Sequence, residues 1–152
     1  MGDTSLSKYQ QRGIKNIDVK KNTQENYINY RLERARQTFE DAKYLASIKS
    51  WNSSMNRLYY ACFYSVLALF SKYQIISHKH SGTKTLFSLH FIKTGILDRE
   101  SGKLFGDLFD LRQKGDYDDL QDFKEEHVIP MISKVEQFIN KIQAILTNEI
   151  TS

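Results

Sequence analysis

Proline, cysteine and long apolar runs are scarce in this chain, and each scarcity excludes a class of protein. One proline and seven glycines in 152 residues are too few for the many turns of a β-sandwich or a β-barrel. The single cysteine, Cys62, excludes a disulfide framework. No apolar run has the length of a membrane span, and residues 1–21 lack the apolar stretch of a secretory signal. We therefore expect a cytoplasmic protein that does not enter a membrane.

The charge balance is weakly basic, with 22 Lys and Arg residues against 18 Asp and Glu residues and a net charge of +4. An excess of this size permits contact with nucleic acid but does not require it. The length suits one domain. Because residues 1–24 show no apolar period, we expect them to form a mobile arm, and we assign residues 25–148 to the helical domain.

Apolar residues recur at steps of three and four over most of the chain, which predicts an all-α, up-and-down bundle of four to five helices. We expect Asn52 or Ser53 to cap the second helix, and Gly115 to end the fourth before an acidic turn over residues 116–119. The first four expected helices cover about residues 25–50, 54–73, 82–93 and 100–114. The last begins within residues 122–126 and reaches about residue 147.

The second of these helices is apolar almost all round, which predicts that it lies at the centre of the bundle. One stripe at helical spacing contains Arg57, Ala61, Tyr64 and Ala68, with Tyr60 on its flank. The tyrosines could simply bury their rings and bond through their hydroxyls. Alternatively, the stripe could form a groove in which Arg57 and the two phenols face a phosphate, a base or a partner helix.

His78 and His80 alternate in the loop after the second helix. Without a cysteine or a nearby carboxylate they make an incomplete set of metal ligands, so we expect no metal site and no cofactor. We expect His80 instead to bond to a neighbouring backbone or side-chain group.

Three segments in order resemble the HEPN family, the "higher eukaryotes and prokaryotes nucleotide-binding" domain, in its small stand-alone prokaryotic branch. Residues 56–64 are similar to that branch's R-x-Y-Y-A-x-F/Y signature, residues 77–82 to its S-H-x-G element, and residues 111–117 to its L-R-x-x-x-D-Y. The likeness runs from about Tyr27 to Leu146. It implies a helical bundle, frequent homodimerisation and often a minimal nucleotidyltransferase partner.

Many HEPN proteins are metal-independent ribonucleases with an R-x4-6-H motif, and the sequence departs from that motif. The matching arginine is Arg112, but Tyr117 stands five residues later and the next histidine is His127. A phenol with a pKa near ~10 is a poor general acid or base at neutral pH. The resemblance therefore favours binding without catalysis.

Our leading hypothesis is a non-catalytic HEPN domain that binds a nucleotide, RNA or a nucleotidyltransferase partner, within a toxin–antitoxin-type pair. The alternatives are a divergent ribonuclease toxin that uses Arg112, Asp116 and Tyr117, and a dimeric interaction module in which an Arg–Asp pair only holds helices together. Aromatic stripes on the second and fourth helices also suggest a homodimer. The candidate binding residues are Arg57, Tyr60, Tyr64, His80, Arg112, Asp116 and Tyr117.

Overall fold

The structure is a computed structural model that describes residues 7–117 and 122–148. Within those residues it contains no strand and five α-helices: α1 (Lys8–Ser47), α2 (Trp51–Tyr73), α3 (His80–Phe87), α4 (Arg99–Tyr117) and α5 (Glu125–Asn148). A π-helical turn, Ser88–Ile92, continues α3. The predicted all-α class is confirmed. None of the described helices is both long and apolar enough to cross a membrane.

Helix α2 lies at the centre of the bundle and contacts α1, α4 and α5. Its side chains Leu58, Tyr59 and Leu69 are completely buried, because the helix carries apolar residues around most of its circumference. The core also takes in Phe105 and Phe109 of α4. The aromatic stripe of α4 is therefore buried within a single chain.

Helices α1 and α2 form an antiparallel pair. The hydroxyl of Ser54, near the start of α2, donates to the carbonyl oxygen of Ala42 at 2.8 Å. Near the other end of α2, Nε2 of Gln24 donates to the carbonyl of Ser71, also at 2.8 Å. The short link between two long helices had predicted this arrangement.

The small residues of the α2 stripe lie inside the bundle. Ala61 and Ala68 of α2 are completely buried, as are Ala35 and Ala42 of α1. Arg31 of α1 reaches over α2 to donate to the carbonyl of Leu67 at 3.4 Å. Small side chains on both helices allow the close approach of α1 and α2.

Three expected helix starts differ from the observed ones. Helix α3 begins at His80 rather than near residue 82, so His80 is helical and does not lie in the preceding loop. Helix α1 begins at Lys8, where Ser7 and Gln10 form a capping box, rather than at residue 25; the mobility of residues 1–24 stays a prediction. Helix α2 begins after Ser50 rather than after Asn52 or Ser53. Asn52 instead accepts from the backbone N–H of Phe123 at 2.7 Å, so its side chain holds the segment before α5.

The fourth helix starts as expected and ends later than expected. At its start, Oδ1 of Asp98 accepts from the backbone N–H of Ser101 at 2.9 Å, which is an N-cap. The helix then continues through Gly115 to Tyr117, so Gly115 is not the predicted C-cap, because its backbone stays helical. Asp116 is helical too, and the rest of the predicted acidic turn, residues 118 and 119, lies outside the described residues.

Candidate functional site

Tyr60 of α2 is the point at which two arginines meet. The central guanidinium carbon of Arg57, one turn earlier on α2, lies 5.0 Å from the centre of the Tyr60 ring. That of Arg112, from α4, lies 5.2 Å from the same centre and 5.3 Å from the ring of Tyr59. Guanidinium groups at this distance are attracted to the negative face of an aromatic ring. Two of the predicted binding residues on one helix are thus joined by a third from another helix.

Arg57 and Arg112 also line one cavity of about 360 Å³ at the end of the bundle. This volume lies at the lower end of the range for small-molecule sites. Nε and Nη2 of Arg57 donate to Oδ1 of Asn56 at 3.2 and 2.9 Å, so a neighbouring amide orients the guanidinium. The other lining residues are Leu45, Asn52, Ser53, Met55, Asn56, Leu111 and Phe123.

His80 lies against the same pair of tyrosine rings. Its Nδ1 is 2.8 Å from the hydroxyl of the buried Tyr59, and its ring stacks on Phe63 with centres 4.3 Å apart. The ring of Tyr60 meets His80 edge to face at 5.9 Å. His80 therefore does bond to a neighbouring side chain, which is the phenol of Tyr59.

Burial and the nearby guanidinium set the protonation of this pair. Burial lowers the pKa of His80, and the positive charge of Arg112 lowers it further. Burial raises the pKa of Tyr59, while Arg112 opposes the rise. A neutral imidazole with its proton on Nε2 accepts the Tyr59 O–H at Nδ1. At neutral pH the site therefore contains a neutral histidine beside a charged arginine.

Tyr64, the last predicted residue on α2, lies at the edge of this cluster. Its ring centre is 5.9 Å from that of Tyr60. On its other side it contacts Arg34 of α1, whose guanidinium carbon lies 4.7 Å from the Tyr64 ring and whose Nη2 donates to the Tyr64 hydroxyl at 3.3 Å. Sequence reasoning missed Arg34. No local signal marks this residue, because the contact depends on how α1 lies across α2.

The remaining predicted residues are placed only by their backbone. Asp116 and Tyr117 form the end of α4, and their side chains lie outside the described part of the chain, so their roles stay predictions. Within residues 7–117 and 122–148, no three His, Cys, Asp or Glu side chains lie close enough together to hold a metal ion. The site is built from guanidinium, phenol, imidazole and amide groups.

The chain matches the model of one known protein family. The family model of the HEPN domain matches residues 28–145. The chain belongs to the HEPN family. The match includes the whole of α2, α3 and α4, which carry every predicted site residue of this HEPN domain.

Individual proteins are also similar to this chain over most of its length. The HEPN chain is 39% identical over 125 residues to a UPF0332 protein of Thermotoga maritima, covering 82% of this chain and 95% of that protein. It is 31% identical over 118 residues, 78% of this chain and 80% of the other, to a Methanocaldococcus jannaschii protein named "Putative toxin MJ0142". A second protein of that archaeon, named "Putative toxin MJ0605", is 30% identical over 115 residues, 76% of this chain and 85% of the other.

Proposed function

We propose that this HEPN chain binds nucleotides or RNA at the cavity lined by Arg57 and Arg112. The observation that carries the proposal is that both guanidiniums lie against the ring of Tyr60, at 5.0 and 5.2 Å from its centre, and line the same cavity. Two guanidiniums that line one cavity give it a positive potential, which attracts an anion. Phosphate oxygens match the planar donors of arginine.

The cavity and the residues beside it supply the other chemistry that a nucleotide needs. Beside the cavity, Tyr60 is half-buried, so a base can stack on its accessible part, and base–aromatic stacking tolerates any base. The amides of Asn52 and Asn56 line the same cavity and can exchange hydrogen bonds with a base or a ribose. His80, Tyr64, Asp116 and Tyr117 belong to the proposed binding surface around this centre.

The biological setting is part of the proposal. Two relatives carry the name "Putative toxin", which supports a role in a toxin–antitoxin-type pair. The family resemblance adds a minimal nucleotidyltransferase as the partner and a homodimer as the assembly. The dimer rests on that resemblance rather than on the aromatic stripe of α4, since Phe105 and Phe109 are buried. Light scattering at micromolar concentration should therefore give twice the chain mass of 17.8 kDa.

A second candidate function, ribonuclease activity, is favoured by one observation. His80 contacts Tyr59 and Tyr60, the two rings that Arg112 covers, so an imidazole lies in the site although Tyr117 replaces the motif histidine. A neutral imidazole can act as a general base, and such catalysis contributes about 10²- to 10⁴-fold. In this alternative, His80 would adopt the other neutral tautomer and donate from Nδ1 to the Tyr59 oxygen. Its Nε2 would then take the proton of a ribose 2′-hydroxyl, and Arg112 would bind the phosphate.

One experiment distinguishes binding without cleavage from ribonuclease activity. Labelled single-stranded RNA is incubated with the protein in chelator, and both retention and fragments are followed for the wild type and for Arg112→Ala, His80→Gln and Tyr117→His. We expect retention without fragments in the wild type, weaker retention in Arg112→Ala, and a salt dependence whose slope falls by about 1 when one phosphate contact is lost. Arg99→Ala, an exposed arginine at the start of α4, is the charge control.

Fragments that disappear in both Arg112→Ala and His80→Gln would establish the ribonuclease instead. The absence of both retention and fragments would contradict nucleic-acid binding and favour the interaction module.

A further inference from the structure

A row of tyrosines and arginines leads away from the cavity across α2 and onto α1. From Tyr60 the next ring is Tyr64, 5.9 Å away between centres. Arg34 covers Tyr64 at 4.7 Å, and its Nη1 donates to the hydroxyl of Tyr30 at 3.1 Å. One guanidinium thus joins a ring of α2 to a ring of α1.

The row continues along α1 at helical spacing. Tyr27, Tyr30 and Arg34 are three and four residues apart, so they share one face of the helix. Arg31 lies with its guanidinium carbon 5.6 Å from the Tyr27 ring, and the same side chain donates to the hydroxyl of Ser71. The cations of this row are therefore held in place by bonds to α2 and to tyrosines.

The tyrosines at the far end of the row face solvent. Tyr27 is 55% exposed and Tyr30 is 58% exposed, so neither ring is needed to fill the core. An exposed cation–π pair contributes only about 0.5–1 kcal/mol, which gives little structural reason for a series of them. Aromatic faces that alternate with guanidiniums along a line are the chemistry by which proteins hold single-stranded nucleic acid.

We propose that Tyr64, Arg34, Tyr30, Arg31 and Tyr27, which we name the tyrosine track, bind the single-stranded RNA that extends from the cavity at Arg57 and Arg112. Bases stack on the exposed rings, and the guanidiniums of Arg31 and Arg34 neutralise the phosphates. The inference rests on the function proposed above and adds the form of its ligand, a flexible single strand rather than a free nucleotide or a duplex.

Helix geometry gives the length of the whole path from the cavity at Arg57 to the end of the track at Tyr27. Residues 57 to 64 of α2 and residues 34 to 27 of α1 run in the same direction, and each stretch rises roughly 10 Å at 1.5 Å per residue. The sum of roughly 20 Å corresponds to the lower end of single-strand site sizes, about 4 nucleotides. Affinity should therefore rise with oligonucleotide length up to about that number.

The test measures the affinity of the full chain, by fluorescence anisotropy, for labelled oligouridylates from a dinucleotide to an octanucleotide and for a duplex RNA. Tyr30→Leu removes one aromatic face and keeps an apolar side chain of similar reach. We expect it to weaken octanucleotide binding by roughly 5- to 150-fold, the value of one base stack, and to leave dinucleotide binding unchanged. Tyr30→Phe, which keeps the ring, should restore the affinity, and Arg99→Ala should have no effect.

The outcomes distinguish this inference from the function on which it rests. If all oligouridylates bind, Arg112→Ala weakens them all, and Tyr30→Leu and Arg34→Gln change nothing, the cavity binds nucleotides and the tyrosine track is wrong. In that case the track would be a surface for a protein partner. If neither the dinucleotide nor the octanucleotide binds, the proposed function itself fails. Equal affinity for the duplex would also overturn the track, because a duplex cannot present unstacked bases.

Discussion

The hydroxyl of Tyr59 lies 2.8 Å from Nδ1 of His80, which ties the central helix to the first residue of α3. The imidazole of His80 and the guanidinium of Arg112 therefore contact the same side chain, because the guanidinium lies over the Tyr59 ring. Residues 59, 80 and 112 come from three different helices. Because these side chains are in contact, the pKa of His80 should respond to changes in the site.

The first prediction concerns the pKa of His80. In a proton NMR titration, with the signal assigned by its loss in His80→Gln, we expect the pKa of His80 to lie below the usual value of about 6.5 for histidine. Arg112→Gln should raise this pKa, because it removes a positive charge from the surroundings of His80. It should not restore the usual value fully, since burial is the larger cause of the lowering. A pKa that does not change in Arg112→Gln would contradict the electrostatic contact.

The same shift predicts how stability depends on pH. A histidine whose pKa is lower in the folded state binds fewer protons there than in the unfolded chain, so the folded state is favoured above about pH 6.5 and loses this contribution as the pH falls through the folded pKa. Urea unfolding of the wild type from pH 8 to pH 5 should show a decrease in the free energy of unfolding. His80→Gln should show a smaller decrease over the same range.

Tyr59→Phe tests the hydroxyl of Tyr59 without changing the packing. The ring is completely buried and would stay in place, while Nδ1 of His80 would lose its partner. We expect a loss of about 1 kcal/mol in the free energy of unfolding, the usual net value of a hydrogen bond, and more where a buried group is left unpaired. Chemical denaturation measures it. Tyr59→Leu, which also removes ring contacts, should cost more. A Tyr59→Phe variant as stable as the wild type would show that the hydroxyl contributes nothing.

Asn52 is expected to hold the segment between α4 and α5. It accepts from the backbone N–H of Phe123 and donates to Oδ1 of Asp122 at 3.1 Å. Asn52→Ala should speed hydrogen exchange at the Phe123 amide, because that N–H loses its acceptor. Ser53→Ala, at the adjacent exposed position, is the control. Unchanged exchange at Phe123 in Asn52→Ala would show that the bond does not protect this segment.

Asp98 is expected to stabilise α4 in a pH-dependent manner. Hydrogen bonds from Lys141 and Ser101 lower its pKa to about 2, so its contribution is complete above the unfolded value of about 3.9 and is lost as the pH falls toward the folded value. Asp98→Ala should cost about 1 kcal/mol at pH 7, as the loss of an N-cap does. The difference from the wild type in urea unfolding should shrink as the pH approaches 2. A cost that is equal at pH 7 and pH 2 would contradict a role for the ionised carboxylate.

The sequence predicted the fold because the fold follows from local rules. Apolar residues at steps of three and four indicate helices wherever they occur, and the apolar circumference of α2 required a central position. The helix ends predicted from the sequence were less accurate. Gly115 is compatible with either a helix interior or a C-cap, and the polar residues around Ser50 offered several caps of similar strength.

One part of the candidate site was likewise predictable from the sequence, and the other part was not. The sequence by itself determined that Arg57, Tyr60 and Tyr64 share one side of α2, because helical spacing fixes which residues of one helix are neighbours. Only the tertiary structure decided that Arg112 and His80 meet the rings of Tyr59 and Tyr60, and that Arg34 meets Tyr64. These partners are separated in sequence by 20 to 53 residues. Their contact depends on the rotation and register of whole helices, which the packing of the buried core sets and no local pattern records.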